Sequence, residues 1–262
     1  MTIDVGGTTA KCALVQDGRL PITTDYAIER TPTYAGYPLK LPTIDIVEIG
    51  SGGGSIAWLD SGQKLRVGPR SAGADPGPAC YGRGGTIATS TDANVVLKRL
   101  DTDFKLGGEV QLDATAAEKA VKEISQQLNM GQEETASGIL EIMNSSMAET
   151  MRLLTVDRGL DPREFSLVAF GGAGPLHGAH LAKALGMTQV IVPVYPGVFS
   201  AAGCLMADTR FDYMKSRITH EENVDLAIIA SDFAELEARA LVDFKREGFE
   251  APLHLVRSID IR

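Results

Sequence analysis

Short apolar runs separated by glycine-rich turns occupy the first quarter of the chain. Residues 3–5 and 12–15 flank the sequence GGTT, and this arrangement predicts a β-hairpin. Residues 44–49 read as a further strand, and residues 56–59 and 64–67 form a second predicted hairpin around an Asp-Ser-Gly turn. This part of the chain therefore has the pattern of a β-rich segment.

Apolar positions recur at helical spacing in the middle of the chain. Asp113 is a predicted N-cap, and Gly131 and Gly159 are predicted stop signals. The methionines at 143, 147 and 151 share one helical face and indicate core packing rather than a cofactor site. The predicted helices cover residues 90–100 (capped by Ser90 or Thr91), 114–128, 133–157, 198–208 and 225–247.

A strand, a glycine-rich bend, a helix and a second strand follow one another over residues 165–192. The strands are predicted at 165–170 and 189–192 and the helix at 176–185, which is the unit of a parallel sheet. Residues 253–261 alternate weakly and predict a last strand. Because the chain stops inside this strand and starts just before another, we expect both ends to be cut from a longer polypeptide.

Composition excludes several classes of protein. The chain has 262 residues, 44% hydrophobic and 23% charged, which is typical of a globular protein. Its net charge of −9 argues against a nucleic-acid-binding surface, and no apolar run approaches the roughly 20 residues that span a bilayer. The three cysteines form no CxxC pair, which argues against a disulfide framework and favours a cytoplasmic location.

The bend at residues 4–9 (DVGGTT) has the residues of a phosphate site. Gly6 and Gly7 let backbone N–H groups approach a phosphate without an intervening Cβ, and Thr8 and Thr9 add hydroxyl donors. Asp4 adds a carboxylate able to hold hydrated Mg²⁺. The alternative interpretation is a plain hairpin turn.

The bend at residues 171–175 lies between a predicted strand and a predicted helix. Gly171, Gly172 and Gly174 are therefore candidates for an anion site at a helix N-terminus, although the pattern is neither a Walker A motif nor GxGxxG. Together the two bends suggest a nucleotide clamped between two loops. That arrangement is typical of actin-like and sugar-kinase-like ATP folds.

Four further residues are candidates for contacts with a substrate. Asp75 and Cys80 lie in an irregular loop over residues 68–85, with a turn-forming role and simple packing as the respective alternatives. Asp92 is either a site residue or a helix-start residue, and His177 either lies near the nucleotide or packs in the interior.

Seven motifs resemble the hydantoinase A / 5-oxoprolinase family, in the family's order, over roughly residues 2–210. The long loop is highly specific. The motifs are DVGGTT (4–9), GSGGGSIAW (50–58), VGPRSAGADPGPACYG (67–82), TDAN (91–94), GLDPR (159–163), FGGAGPLH (170–177) and PGVFSAAG (196–203).

The resemblance implies an α/β fold of the actin-like ATPase (ribonuclease H-like) type. By this resemblance the chain would be one half of the duplicated architecture of that fold, with family-specific insertions. The family core would cover residues 1–215, and residues 216–262 would begin a truncated C-terminal region. An earlier phosphate motif of the family would lie in an N-terminal part that this chain lacks.

The resemblance also implies an ATP-dependent hydrolase of cyclic amides or imides, which activates the amide carbonyl by phosphorylation. Gly6, Gly7, Thr8 and Thr9 would hold the β- and γ-phosphates and Asp4 the hydrated Mg²⁺, while residues 171–174 would flank the α-phosphate and ribose. Expected partners are a small-molecule substrate and a hydantoinase B-like subunit or domain, and homo-oligomerisation is left open. One departure stands out, because many members carry aspartate where this chain has Lys11.

Three alternatives remain open at this point. The chain is also compatible with a subunit of an acetone- or acetophenone-type carboxylase. A small-molecule kinase of the same superfold would use residues 4–9 as its own phosphate loop. A non-catalytic scaffold subunit would use its glycine-rich loops only for packing against a second chain.

Overall fold

The computed structural model describes residues 1–24, 26–28, 34–39, 42–250 and 252–259, and they form an α/β fold. The strands are β1 (Thr2–Val5), β2 (Ala10–Ala13), β3 (Ile22–Thr23), β4 (Tyr26–Ile28), β5 (Tyr37–Leu39), β6 (Thr43–Ile44), β7 (Ile46–Ile49), β8 (Ser55–Leu59), β9 (Leu65–Ser71), β10 (Leu167–Phe170) and β11 (Val190–Ile191). The α-helices are α1 (Ser90–Val96), α2 (Ala114–Leu128), α3 (Gln132–Leu154), α4 (Gly174–Leu185), α5 (Phe199–Met206) and α6 (Leu226–Arg246).

One mixed sheet positions the elements that matter for function. Its order is β11-β10-β1-β2-β7, in which β1 and β10, and β10 and β11, pair in parallel. Strand β2 pairs antiparallel with both β1 and β7, which confirms the predicted first hairpin. Since two antiparallel steps restore the original direction, β1, β7, β10 and β11 all point the same way. Their carboxyl ends therefore meet at one edge of the sheet.

The sheet buries one face against helices α3 and α4. Ile3, Val5, Ala10 and Cys12 are all fully buried on this face, as the alternation of a half-buried sheet requires. The methionine stripe of α3 packs into the same core, which confirms the prediction that it fills the interior. A second apolar cluster joins the first half of α3 to α1 and α2.

Several predicted boundaries differ from the observed ones. The helix predicted to reach residue 100 ends at Val96, where the chain turns through Lys98 at a φ of 56°. Helix α3 ends at Leu154 and continues as a short 3-10 turn over Val156–Arg158. Strand β9 extends to Ser71 into the predicted irregular loop. Residues 253–259 contain no strand, and the rest of that predicted element, residues 260 and 261, lies outside the described residues.

The chain divides into two compact units, Met1–Met206 and Ala207–Arg262. The first contains the sheet, and the second contains α6. In the second unit, Asp232 on α6 pairs with Lys215 and Arg217, and Phe244 packs against Phe211 and Phe249. In neither unit do the described residues include a helix with the length and hydropathy needed to cross a bilayer.

Candidate functional site

Three glycine-rich loops lie at the same edge of the sheet. Residues 6–9 follow β1, residues 50–54 follow β7, and residues 171–173 follow β10. Parallel strands place their carboxyl ends together, and ligands of α/β proteins commonly bind in the crevice outside these ends. The two loops singled out from the sequence are therefore neighbours, and a third loop joins them.

The hairpin tip exposes unpaired backbone donors. The amide of Gly6 closes the turn by donating to the carbonyl of Thr9 at 3.0 Å. Gly7 and Thr8 are exposed, and within the described part of the chain their amides have no hydrogen-bond acceptor. Free N–H groups at a turn of this kind can bind an anion.

Gly171 packs directly against the end of β1. A Cβ at this position would lie 2.5 Å from the carbonyl oxygen and 2.8 Å from the amide nitrogen of Val5, and would also collide with Asp4 Oδ1. The φ of Gly171 is 84°, and the amide of Ala173 donates to the same Val5 carbonyl at 2.9 Å. Only glycine fits this contact. The contact brings the two predicted bends together at Asp4.

The carboxylate of Asp4 is half-buried at the end of β1. Its Oδ2 accepts a 2.8 Å hydrogen bond from the hydroxyl of Ser200, at the start of α5. Sequence reasoning did not include Ser200 in the site, although it lies in the motif over residues 196–203.

The oxygen-bearing side chains at and beside Asp4 suit hydrated Mg²⁺. One carboxylate stands beside the exposed loop that carries Thr8 and Thr9. Among the described residues there is no group of three or more His, Cys, Asp or Glu side chains placed to hold a metal. Mg²⁺ keeps most of its waters and usually needs only one or two carboxylates, so these residues fit a hydrated ion.

The third loop, residues 50–54, is hydrogen-bonded to the hairpin tip. The amides of Gly53 and Gly54 donate to the carbonyls of Gly6 and Gly7 at 2.9 and 2.6 Å. A Cβ on Gly52 would lie 2.6 Å from the carbonyl carbon of Thr8. The run of glycines at this loop is thus required by close backbone approach, a signal that was present in the sequence.

Helix α1 ties this third loop to the long loop that follows β9. The hydroxyls of Ser90 and Thr91 both donate to the carbonyl of Gly53, at 2.8 and 2.7 Å. The Asp92 carboxylate, fully buried, accepts from the amides of Cys80 and Thr89, both at 2.8 Å. Asp92 is therefore the helix-start residue of a capping box and holds the long loop in place.

Burial separates the candidates of the long loop. Cys80 is fully buried, and burial, reinforced by the negative charge of Asp92, raises the pKa of its thiol well above the ordinary value. Neither Cys80 nor Asp92 faces open space, which argues against the expected contact with a substrate. Asp75 is exposed, three residues after Ala72, whose amide donates to the carbonyl of Gly54 at 2.8 Å.

His177 is buried in the first turns of α4 and is 2% exposed. Its Nδ1 lies 2.7 Å from Asn144 Oδ1 on α3, so Nδ1 carries the proton that is donated to this carbonyl oxygen. Burial, together with the charges of His180 and Arg99, lowers the pKa of the ring to about 4. His177 is therefore neutral near pH 7, and among the described residues its buried Nε2 has no partner.

Lys11 lies beside the hairpin tip, on the exposed face of the sheet. Its ammonium group donates to Thr9 Oγ1 at 2.7 Å and pairs with Glu48 Oε1 at 3.2 Å. The hydrogen bond from Lys11 is the main cause that lowers the pKa of Glu48 below its ordinary value.

One depression of the surface does not include the glycine-rich loops. An open depression of about 550 Å³ lies at the turn after β2 and is lined by Gln16, Asp17, Arg19, Leu20 and Pro21. It contains none of the predicted site residues. The chemistry of the glycine-rich edge, rather than the depth of a depression, identifies the candidate site.

Comparison with known proteins identifies the family of this chain. A sequence model described as hydantoinase/oxoprolinase matches residues 1–213. An uncharacterised protein of Methanocaldococcus jannaschii is 43% identical over 99% of this chain and 38% of its own length. The caprolactamase subunit alpha of Pseudomonas jessenii is 36% identical over 95% of this chain and 35% of its own length.

A solved structure has the same fold. The nucleotide-free structure of an acetone carboxylase, from a study of ATP-dependent acetone carboxylation, superimposes with a TM-score of 0.79. It is 32% identical and is matched over 95% of this chain and 36% of that chain. The chain thus spans little more than a third of the length of each of these three proteins.

Proposed function

The chain belongs to the hydantoinase/oxoprolinase family, and from this premise we propose that it binds the phosphates of ATP at its glycine-rich edge. The enzyme of which it forms a part hydrolyses a cyclic amide or imide at the expense of ATP. In the same proposal, residues 1–215 form the core of an actin-like ATPase (ribonuclease H-like) fold and residues 216–262 begin a further region.

One observation carries this proposal: Gly171 packs against Asp4 and Val5 so closely that a Cβ could not be accommodated. The contact brings the turn over residues 6–9 and the start of α4 to one place. In the second bend the amides of Gly171 and Ala173 are bonded to the carbonyls of Pro196 and Val5, whereas those of Gly172 and Gly174 have no acceptor among the described residues. Free amides from both bends at one place suit a polyphosphate, since each phosphate group accepts several hydrogen bonds.

The proposed roles follow from this geometry. The amides of Gly7 and Thr8, with the hydroxyls of Thr8 and Thr9, bind the β- and γ-phosphates. The backbone of residues 171–174 flanks the α-phosphate and ribose. Asp4, oriented by Ser200, holds hydrated Mg²⁺, which supplies stabilisation of the charge that develops during phosphoryl transfer.

The chemistry asks for positioning rather than covalent catalysis by the protein. The carbonyl oxygen of the amide takes the terminal phosphoryl group of ATP and ADP leaves. Water then adds to the activated carbon and the C–N bond breaks, with the ring nitrogen taking a proton, which leaves an acyl phosphate. A second water hydrolyses the acyl phosphate to a carboxylate and inorganic phosphate. The name of the caprolactamase relative, an enzyme for a cyclic amide, supports this substrate class.

A carboxylase subunit is the second candidate function. It is favoured by the match to the acetone carboxylase structure, which extends over 95% of this chain. Both candidates use the same phosphate site and differ in what accepts the phosphoryl group, an amide oxygen or an enolate oxygen.

The partners and the substrate side of the site are part of the same proposal. Because a relative is named as one subunit of its enzyme, we propose a hydantoinase B-like subunit or domain as the partner.

Asp75 remains the proposed substrate-side residue, because it is exposed on the loop bonded to Gly54. His177, which is buried and paired with Asn144, acts by holding α4 against α3. A cytoplasmic location stays a prediction from cysteine usage.

The test is calorimetric titration with ATP, with and without Mg²⁺, of the enzyme of which the chain forms a part. We expect Mg²⁺ to strengthen ATP binding. We expect Asp4→Asn to reduce this Mg²⁺-dependent gain in affinity at least tenfold. Asp17→Asn is the matched control, because Asp17 lies in the turn at the other end of β2, where its φ of 51° also suits asparagine. Absence of ATP binding by that enzyme at millimolar concentration contradicts the proposal and favours the scaffold alternative.

A further inference from the structure

A row of charged residues crosses the exposed face of the sheet beside the proposed phosphate site. Asp4 on β1 lies directly opposite Lys11 on β2, and Lys11 lies directly opposite Glu48 on β7. All three side chains point away from the buried face, because their neighbours along each strand are the core residues. Lys11 is therefore the cation between two carboxylates.

The ammonium group of Lys11 touches the proposed phosphate loop. Its Nζ donates to Thr9 Oγ1 at 2.7 Å and lies 3.2 Å from Glu48 Oε1. The carboxylate of Asp4 is instead bonded to Ser200. The lysine charge is thus held within hydrogen-bond reach of the loop and stays free of Asp4.

The pair with Glu48 is well suited to be exchanged. The two side chains are 47% and 53% exposed, and exposed ion pairs contribute little to folding. A polyphosphate carries several negative charges, and a charge-assisted hydrogen bond from ammonium to phosphate is stronger than a solvated pair with one carboxylate. An anion at the hairpin tip would therefore attract Lys11 away from Glu48.

We propose that Lys11 is a phosphate-binding residue of this chain: it exchanges its pair with Glu48 for the β- and γ-phosphates when a nucleotide binds. The inference rests on the proposed function, and it assigns the lysine that stands where many family members carry aspartate. Glu48 acts as the competing partner, so its negative charge weakens nucleotide binding.

Two single variants separate this role from a structural one, because each breaks the same ion pair. If Lys11 binds phosphate, Lys11→Met weakens ATP binding about tenfold, whereas Glu48→Gln strengthens it about two- to threefold. If the pair only supports the hairpin, both variants change ATP affinity in the same direction. Lys11→Arg keeps the cation and is expected to restore most of the affinity lost in Lys11→Met.

The nucleotide series shows where Lys11 acts. Calorimetric titration of the enzyme of which the chain forms a part, and of each of its variants, uses ATP, ADP and AMP at one ionic strength. AMP lacks the β- and γ-phosphates, so Lys11→Met is expected to change its affinity less than twofold. Urea denaturation without nucleotide checks that the variants remain folded.

The outcomes are distinguishable. If the unmodified enzyme does not bind ATP, the proposed function fails and this inference fails with it. If the unmodified enzyme binds ATP, but Lys11→Met and Glu48→Gln shift its affinity equally or not at all, the proposed function stands and the inference is overturned. An equal loss for AMP and ATP also overturns it.

Discussion

The hydroxyl of Ser200 donates a 2.8 Å hydrogen bond to the carboxylate of Asp4, 196 residues earlier in the chain. The contact joins the start of α5 to the end of β1. It also determines how the carboxylate is presented, since one of its oxygens is occupied by a neutral donor and the other lies against Gly171.

Ser200→Ala is expected to weaken Mg²⁺-dependent ATP binding two- to fivefold, because the carboxylate loses the donor that orients it. The cost to stability is expected to be only about 0.5–1 kcal/mol, since the hydrogen bond is exposed. Calorimetric titration and urea denaturation measure the two effects. Ser61→Ala, in the exposed turn between β8 and β9, serves as the control and is expected to change neither. An unchanged Mg²⁺ dependence in Ser200→Ala would contradict the orienting role.

The contact between Gly171 and β1 leads to a prediction about stability. Gly171→Ala is expected to destabilise the fold by about 3 kcal/mol or more, because the added Cβ meets the Val5 backbone at a positive φ. Gly172→Ala is the matched control. A Cβ there meets no atom within 4 Å, so we expect a change of about 0.5 kcal/mol or less. Similar midpoints of urea denaturation for the two variants would show that the bends are not in contact.

The local part of this site could be predicted from the sequence, whereas the long-range part could not. The hairpin around residues 6–9 and the strand-to-helix bend at 171–174 follow from apolar periodicity and glycine position, both of which are local signals. The pairing of Lys11 with Glu48 depends on strand register, and the bond from Ser200 depends on where α5 starts in space. Neither is encoded in a short window of sequence.

The spacing of Thr89 and Asp92 in the sequence predicts only one of the two roles that Asp92 has in the structure. The sequence marked it as a helix-start residue or a site residue, and the Thr-x-x-Asp spacing from Thr89 is that of a capping box. Helix N-caps can be recognised from such spacing. The second role of this carboxylate, accepting the amides of Ala79 and Cys80 from a loop twelve residues away, cannot be recognised in this manner.

Asp92→Ala is therefore expected to destabilise the protein by about 3 kcal/mol. The change leaves the buried amides of Cys80 and Thr89 without their acceptor, and each unsatisfied buried donor costs about 1–3 kcal/mol. Asp113→Ala is the control, because Asp113 also caps a helix but is exposed, so only about 1 kcal/mol is expected. Urea denaturation measures both. Equal losses in the two variants would mean that Asp92 is no more than a cap.

The buried pair of His177 and Asn144 predicts a loss of stability in mild acid. The unfolded chain protonates this imidazole near its ordinary pKa of 6.5, whereas the folded chain does so only near about 4, chiefly because burial disfavours the charged ring. Between these values the unfolded state holds more protons, so the free energy of unfolding falls as the pH falls. By pH 5 the expected loss from this one group is about 2 kcal/mol.

The measurement is urea denaturation of the 262-residue chain at several pH values from 7 to 5. His177→Gln removes the titrating group, and we expect it to flatten the pH dependence by about 2 kcal/mol over this range whatever it costs at pH 7. His220→Gln is the matched control, since His220 is exposed and is not among the charges that lower the pKa of His177. Carboxylates that titrate in the same range contribute to all three proteins alike, so only the differences between the curves report on the histidines. Parallel curves for the unmodified chain and His177→Gln would mean that the ring is already protonated, or open to water, in the folded state.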